Sequence, residues 1–339
     1  MYDIFLLLSM PFVTFSRNVF IPLTNVCRNR CGYCGFRRDM GEAKLLSPPE
    51  VKAILLKGAR SGCSEALFTF GERPEEVNGF SEWLMEFGYE NIIDYLLEMC
   101  KLSINFGLLP HSNPGILEKP EFEKLKPYNA SMGLMLETLA EIKGHEGCAG
   151  KSPGARIKTI EYAGELKIPF TTGILTGIGE TWEERVSSIH KIKELHEEFG
   201  HIQEVIIQNF IPKPGTRMAS WDAPGIKEMM RTVRMAREIL PADITIQVSP
   251  NLIPPRELVK CGASDLGGIS PETIDHINPE APWPNYIELQ AMVDVPLRER
   301  LPIYPGYIQK GWYSPRIRDL LFTLSDTEGF RKTYKQEYR

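Results

Sequence analysis

Three cysteines lie within eight residues near the start of the chain, at Cys27, Cys31 and Cys34. The spacing C-x₃-C-x₂-C lets one loop wrap three thiolates around three corners of an iron–sulfur cube, and a cluster with only three protein thiolates keeps one iron open. A structural zinc site uses four closed ligands, usually in paired Cys or His spacings, and no His lies near this loop. The spacing therefore predicts a [4Fe–4S] cluster with one open iron. A structural zinc and unrelated buried cysteines are the alternatives.

The other four cysteines are dispersed along the chain, at Cys63, Cys100, Cys148 and Cys261. An odd total of seven with this spread is unlike a disulfide framework. It is typical of a protein in a reducing compartment. We therefore expect a cytoplasmic protein with a single metal cluster.

The composition of the 339-residue chain narrows the choice of partner. The net charge is a mild -5, and Lys and Arg are scattered instead of gathered in a stripe. The electrostatic pattern of a nucleic-acid binder is thus missing, which favours a small-molecule substrate. The apolar run 4–8 is too short to span a bilayer and lacks the flanks of a signal peptide, so we expect a buried N-terminal segment and no membrane association.

Strand-like and helical patterns alternate along the chain. The helical segment Pro48–Arg60 follows Ser47 and has Pro at its first position and Glu50 at its third, which is a capping-box pattern. Strand then helix, repeated eight times, predicts an α/β fold, a parallel (β/α)₈ TIM-type barrel, over residues 1–300. Residues 301–339 show no ninth repeat and are expected to form a C-terminal extension packed on the barrel. The eight expected strands lie near 19–23, 66–70, 105–109, 130–134, 170–174, 204–209, 244–248 and 265–269.

Polar and glycine-rich clusters follow these expected strands. In a (β/α)₈ barrel that face holds the active site. For any one cluster, the ordinary Gly, Asn and Pro content of turns is an equally good explanation, but eight in register favour a site. The clusters are 27–34, 71–73, 111–115, Glu137, 177–180, the pair Gln208 and Asn209, Asn251, and the pair Gly267 and Gly268.

The cysteine loop resembles that of the radical S-adenosylmethionine superfamily, whose hallmark is C-x₃-C-x-aromatic-C, with Tyr33 in the aromatic position. The resemblance implies that the open iron binds the amino and carboxylate groups of S-adenosylmethionine. It further implies that an electron from the cluster cleaves the sulfonium to a 5′-deoxyadenosyl radical, which abstracts hydrogen from a substrate. The cofactors then supply the chemistry, and the protein positions them and excludes water.

The same resemblance implies roles for further residues. Gly71 and Glu72 stand where the superfamily has Gly-Gly-Glu, which receives the methionine ammonium, with Phe70 replacing the first Gly. Segment 173–180, with Gly177 and Glu180, is similar to the G-x-I-x-G-x-x-E element that lines the adenosine, although an ordinary strand-to-helix turn would look alike. Glu137 is expected to hold the ribose hydroxyls and Arg156 the methionine carboxylate. A solvated surface position is the alternative for each of these two.

Longer stretches, 69–75, 111–115, 168–173 and 265–270, resemble the family of 7,8-didemethyl-8-hydroxy-5-deazariboflavin (FO) synthases, in particular their ring-closing subunit. This resemblance implies a lyase of coenzyme F(420) biosynthesis. The implied substrate is 5-amino-5-(4-hydroxybenzyl)-6-(D-ribitylimino)-5,6-dihydrouracil, which is cyclised with loss of ammonia. The implied partners are the tyrosine-condensing radical subunit and an electron donor such as ferredoxin or flavodoxin.

Such a substrate needs several convergent donors and acceptors. Six polar residues are expected at the mouth of the barrel. His111 is also a candidate general acid or base, with a hydrogen-bonded structural histidine as the alternative. The six are His111, Asn113, Gln208, Asn209, Asn251 and Asp265.

Three rival functions stay open. One is the tyrosine-condensing subunit itself. Another is a biotin-synthase-like enzyme, which would bring ligands for a second cluster, and the scattered cysteines argue against it. The third, a plain iron–sulfur electron carrier, would shield its cluster with four cysteines and would not need polar residues after eight strands.

Overall fold

A closed barrel of eight parallel strands forms the body of the protein. The structure is a computed structural model that describes residues 12–332, so the apolar run 4–8 lies outside the described residues. Each strand pairs with the next one along the chain, and the first strand pairs with both the second and the eighth, which closes the barrel. The predicted TIM-type barrel is therefore confirmed. The strands are β1 Val13–Ile21, β2 Glu65–Thr69, β3 Leu109–Asn113, β4 Ser131–Gly133, β5 Phe170–Thr176, β6 Ile202–Asn209, β7 Thr245–Gln247, β8 Asp265–Ile269 and, beside the start of β1, β9 Leu297–Glu299.

Helices cover the outside of the barrel between successive strands. The first has the predicted bounds, and the Ser47 backbone N–H donates to Glu50 Oε2 at 2.7 Å, as the capping pattern predicts. The helices are α1 Pro48–Arg60, α2 Phe80–Met85, α3 Ile92–Asn105, α4 Lys119–Leu125, α5 Pro153–Glu165, α6 Trp182–Phe199, α7 Ile226–Ile239, α8 Arg256–Lys260, α9 Tyr286–Ala291, α10 Pro305–Gln309 and α11 Pro315–Leu324.

The third strand differs from the sequence prediction, which placed it at 105–109. Residue Asn105 ends α3, whose buried positions recur at helical spacing, and Gly107 turns the chain with a φ of +79°. The strand then starts only at Leu109. As a consequence, His111 and Asn113 belong to the strand itself, whereas the sequence placed them in the loop after it.

The chain after β9 covers the amino end of the barrel. Leu301 and Ile303 are fully buried and pack in one apolar cluster with Leu109 and Ala130, which begin or precede β3 and β4. This contact joins the extension to the barrel wall, but the division of the chain at residue 300 stays a prediction. Within residues 12–332, no helix is both long enough and apolar enough to cross a bilayer.

Candidate functional site

The cysteine loop lies over the carboxyl end of the barrel. The backbone N–H of Gly32 donates to Gly144 O at 2.7 Å, and the Met218 N–H donates to Gly32 O at 3.0 Å, so two other loops hold its centre in place. Cys27, Cys31 and Cys34 all line one cavity of about 340 Å³ that extends into the barrel. The loop thus presents its three thiols to the same space.

The three thiols suit a cluster better than a single ion. Each is a free cysteine that is only partly buried. Among the described residues, no three His, Cys, Asp or Glu side chains lie together as ligands of one metal ion. A [4Fe–4S] cluster instead gives each thiolate its own iron, and sulfur atoms can also accept backbone hydrogen bonds, as Cys27 Sγ does from the Glu72 N–H at 3.2 Å. Burial raises the pKa of the Cys27 thiol. The thiols fit the cluster that their spacing predicts.

Gly71 lets the end of β2 approach the cysteine loop. A Cβ at Gly71 would lie 1.8 Å from Val26 O, so no other residue fits there. The Gly71 N–H donates to Thr24 O at 3.0 Å, and the Arg28 N–H donates to Glu72 O at 3.0 Å. These two bonds place the Glu72 side chain beside the thiols.

Glu72 is buried, with 5% exposure, among several donors. Its carboxylate accepts from Arg28 Nε at 3.0 Å and Asn29 Nδ2 at 2.9 Å, and Arg156 Nη1 lies 3.7 Å away. Burial by itself would raise the pKa of Glu72, but Arg156 and then Asn29 outweigh it and keep the pKa below its usual value. The group is therefore an anion at neutral pH.

Glu137 is the second buried anion, with a φ of +66° just after β4. Its carboxylate accepts from the Tyr33 hydroxyl and from Lys151 Nζ, and His145 Nε2 lies 3.1 Å away. Arg156 Nη2 is 3.4 Å from the same carboxylate. Burial opposes ionisation, but Lys151, Arg156 and His145 together hold the pKa of Glu137 well below its usual range. Because Tyr33 belongs to the cysteine loop, this contact also ties that loop to β4.

The carboxylates and bases match the charges of a zwitterion. Both carboxylates, Glu72 and Glu137, and both bases, Lys151 and Arg156, line the cavity that holds the thiols. An ammonium group needs an anion beside it, and a carboxylate needs a cation. An amino acid moiety, which has both, therefore fits this end of the cavity.

The deeper part of the cavity is lined by the upper barrel wall. Asn113, Gln208 and Asn209 all reach it, together with Thr69 and Thr171. These polar side chains stand among apolar neighbours, which is the usual composition of a small-molecule site. Three of the six substrate-binding candidates thus line the same cavity as the thiols.

The other three candidates lie elsewhere. Asp265 begins β8, so its predicted place at the mouth is wrong: it lies at the amino end, fully buried, where it accepts from Arg300 Nε at 2.6 Å. Asn251 follows β7 but donates to Asp275 Oδ2 at 2.9 Å and does not line the cavity. His111 stands one layer below Asn113 in β3, buried and also outside the cavity lining.

Gly177 and Glu180 form a turn and do not line the cavity. The Glu180 carboxylate accepts from the Gly177 and Ile178 N–H groups, both at 2.9 Å, and from Arg185 Nη2 at 2.7 Å. Glu180 is therefore not placed to contact a cofactor directly, because its carboxylate is occupied by the donors that brace the turn. The strand-to-helix turn that the sequence left open as an alternative describes these residues best.

Several site residues were missed from the sequence. Lys151 and His145 come from the long loop between β4 and α5, far from any strand end. A search for polar residues directly after strands therefore gave no signal for them. Asn29 lies inside the cysteine motif, which specifies only the cysteines and the aromatic position, so nothing in the pattern marked it. Cys148 is one of the four dispersed cysteines, but its thiol lies near that of Cys31. Lys213, which donates to Asn278 Oδ1 at 2.7 Å across the cavity mouth, belongs to none of the sequence motifs.

Comparison with known proteins agrees with this site. Residues 21–192 match the model of the Radical SAM superfamily. The chain is 60% identical over 324 residues to a 7,8-didemethyl-8-hydroxy-5-deazariboflavin synthase of Methanococcoides burtonii, with 95% of this chain and 98% of that protein covered. For the synthase of the same name from Methanosarcina mazei the identity is 56% over 323 residues, with 94% and 96% covered.

Two solved structures share the fold at low sequence identity. Methylornithine synthase (PylB) has a TM-score of 0.60 at 18% identity, with 96% of this chain and 84% of that chain covered. HydG, a maturase of the [FeFe]-hydrogenase, has a TM-score of 0.69 at 17% identity, with 91% and 68% covered. At such identities the likeness concerns the barrel alone.

Proposed function

Because this chain belongs to the radical SAM superfamily, and within it to the family of 7,8-didemethyl-8-hydroxy-5-deazariboflavin synthases, we propose that it is the ring-closing lyase that forms the deazaflavin of coenzyme F(420). Members of this superfamily use a [4Fe–4S] cluster and S-adenosylmethionine. The proposed substrate is the adduct of a hydroxybenzyl group with ribityl-diaminouracil. The proposed products are the deazaflavin and ammonia.

The observation that carries the proposal is one cavity lined both by three thiols and by a set of amide and hydroxyl side chains. Cys27, Cys31 and Cys34 are proposed to hold the cluster, with Glu72 and Arg156 against the ammonium and carboxylate of S-adenosylmethionine. Asn113 and Gln208 lie deeper in the same space. A pyrimidinedione with a polyhydroxylated chain needs donors and acceptors of this kind.

The cofactors, once bound, supply a 5′-deoxyadenosyl radical, and the chain supplies placement. Glu137, held ionised by Lys151 and Arg156, is an acceptor for hydroxyl groups such as those of ribose. The apolar walls, which include Phe70, Leu134 and Leu175, exclude water from a reactive centre. Tethering of the phenol ring to the pyrimidine gives ring closure an effective molarity that two free substrates would lack.

The proposal includes two partners and a location. A tyrosine-condensing radical subunit would supply the adduct, and an external donor such as ferredoxin or flavodoxin would supply the electron. All seven cysteines are free, which supports a reducing, cytoplasmic location.

The test is a substrate panel with the reconstituted enzyme under anaerobic conditions, with reductant and S-adenosylmethionine. The adduct should give ammonia and a fluorescent deazaflavin, and tyrosine with diaminouracil should give neither. Condensation of free tyrosine with diaminouracil would instead identify the tyrosine-condensing subunit. Sulfur insertion into an unactivated chain, with the adduct ignored, would identify a biotin-synthase-like enzyme.

A further inference from the structure

A chain of four polar groups runs from the cavity to the segment that covers the amino end of the barrel. In the structure Asn113 Oδ1 lies 3.1 Å from His111 Nε2, and Asn113 Nδ2 lies 3.3 Å from Thr69 Oγ1. His111 Nδ1 lies 2.6 Å from Ser131 Oγ. Ser131 Oγ in turn lies 2.6 Å from Pro302 O, in the segment after β9. Only the Asn113 end of this chain reaches the cavity.

The protons in this chain can be placed from the Pro302 end. A backbone carbonyl has no proton, so the single Ser131 hydroxyl proton must lie between Ser131 and Pro302. Ser131 can then only accept from His111, which requires a proton on His111 Nδ1. Pro302 O also accepts from Gln203 Nε2 at 2.9 Å, which uses its second lone pair. The segment below the barrel thus determines the tautomer of His111.

His111 itself stays neutral. The ring is buried, and desolvation lowers its pKa to about 4; the contact with Asn113 opposes this shift, and Arg300 adds to it. A neutral ring with its proton on Nδ1 offers a lone pair at Nε2. The Asn113 oxygen, which lies 3.1 Å from Nε2 in the structure, would then place two lone pairs against each other, whereas the amide nitrogen at the same point donates a hydrogen bond. A half-turn of the Asn113 amide exchanges the two atoms without changing its outline.

Gly133 on the neighbouring strand makes room for this arrangement. A Cβ at Gly133 would lie 2.3 Å from the Asn113 amide and 3.3 Å from His111 Nε2. Any side chain there would push the amide away from the ring. The pairing of β3 with β4 therefore places a glycine where His111 and Asn113 need space.

We infer that the Pro302–Ser131–His111 relay fixes which end of the Asn113 amide donates and which accepts, and so sets the hydrogen-bonding face that Asn113 presents to substrate. In this turned orientation the amide nitrogen takes the place of Oδ1 beside His111, and the oxygen takes the place of Nδ2 beside Thr69. Asn113 then keeps one donor and one acceptor for the cavity. A ligand that pairs with both must present an acceptor and a donor side by side, as the imide edge of a pyrimidinedione does. This assignment of the ligand rests on the proposed function, but the orientation of the amide does not. His111 is thus a positioning residue and not an acid or base.

The orientation of the Asn113 amide depends on the tautomer of His111, which is measured by ¹⁵N NMR of the reconstituted enzyme with labelled histidine. The His111 signals are identified by their loss in His111→Phe. From pH 6 to pH 8, the spectra should show a neutral ring with a proton on Nδ1 and a bare Nε2. A ring with the proton on Nε2, or an imidazolium, would overturn the inference. This measurement needs no substrate, so it stands even if the proposed reaction is wrong.

The ligand is tested by titrating 5-amino-6-ribitylaminouracil, as the probe, into the reconstituted enzyme. His111→Phe should weaken binding about tenfold, which is the size of one lost hydrogen bond, and leave S-adenosylmethionine affinity unchanged. Gly133→Ala should weaken probe binding in the same way. The control is Ser112→Ala in the same strand, whose hydroxyl donates outward to Asn129 Oδ1 at 2.7 Å and should not affect the probe. Equal losses in His111→Phe and Ser112→Ala would mean general destabilisation and would refute the inference. If no variant bound the probe differently but the tautomer were as expected, the pyrimidinedione assignment alone would fall.

Discussion

Replacement of Glu72 by Gln tests the assignment of this carboxylate to the cosubstrate. Gln keeps the size of the side chain and an acceptor for the Ile116 N–H, which lies 3.2 Å from Glu72 Oε2, but it removes the charge. The fold should survive, because Arg156 still faces Glu137 at 3.4 Å. The variant should therefore retain its cluster iron.

The expected loss in S-adenosylmethionine affinity follows from one charged hydrogen bond. Such a bond contributes about 1.5–3 kcal/mol when one partner is ionised, or roughly 10- to 150-fold in the dissociation constant. The burial of Glu72, with 5% exposure, argues for the upper part of this range because water cannot replace the lost anion. Isothermal titration of the reconstituted variant under anaerobic conditions gives the constant directly.

Glu76→Gln is the matched control. Glu76 pairs with the same arginine, since Arg28 Nη1 lies 2.8 Å from Glu76 Oε1, but its side chain is 55% exposed and does not line the main cavity. It should change affinity by less than about twofold, as a surface ion pair does. Unchanged affinity in Glu72→Gln with an intact cluster, or equal losses in both variants, would refute the role given to Glu72.

Three further predictions concern the cluster, the turn after β5 and the buried ions. Replacement of Cys27, Cys31 or Cys34 by Ala should abolish the iron-dependent absorbance. Replacement of any of the other four by Ser should leave this absorbance in place, at Cys63, Cys100, Cys148 or Cys261. Loss of iron in Cys148→Ser, next to Cys31, would contradict the open-iron model most sharply. Gly177→Val should lower the melting temperature, because φ is +92° there and a Cβ would lie 2.8 Å from Pro224; equal thermal stability would contradict that strain. Burial raises the pKa of Glu204 to about 7, so its contribution to stability is present at low pH and is lost as pH rises from the unfolded value towards 7, by at most about 1.4 kcal/mol per pH unit. Urea unfolding at pH 5.5 and 7.5 should show that the free energy of unfolding falls with pH in the parent and falls less in Glu204→Gln. An equal fall in the two proteins would contradict this prediction.

The barrel was predictable because its signals are local. Strands such as β1, β5 and β6 are rich in β-branched and aromatic residues, and α1 begins at a complete capping pattern. The one misplaced strand, β3, follows helix α3, whose end is marked by Gly107 two residues after Asn105, and the sequence prediction did not use this helix-ending signal. Its sequence Leu-Pro-His-Ser-Asn also has few of the residue types typical of strands.

The site was predictable where the chemistry depends on spacing, and not where it depends on distant contacts. Sequence motifs mark the cysteine loop and Glu72, and the end of a predicted strand marks Glu137, so the sequence points to these residues. Asp265 was misplaced although β8 has its predicted bounds, because the first residue of a strand lies at the amino end of the barrel, opposite the mouth. Lys151 and His145 reach Glu137 from a loop of irregular shape, and no pattern in the sequence gives that path.

The most direct test of the account is the transfer of hydrogen from substrate to cosubstrate. The reconstituted enzyme is incubated with reductant, S-adenosylmethionine and the hydroxybenzyl adduct deuterated at its carbon positions, and the 5′-deoxyadenosine is analysed by mass spectrometry. The account predicts 5′-deoxyadenosine that contains deuterium, formed together with ammonia and fluorescent deazaflavin. Unlabelled 5′-deoxyadenosine, formed at the same rate with or without the adduct, would contradict it.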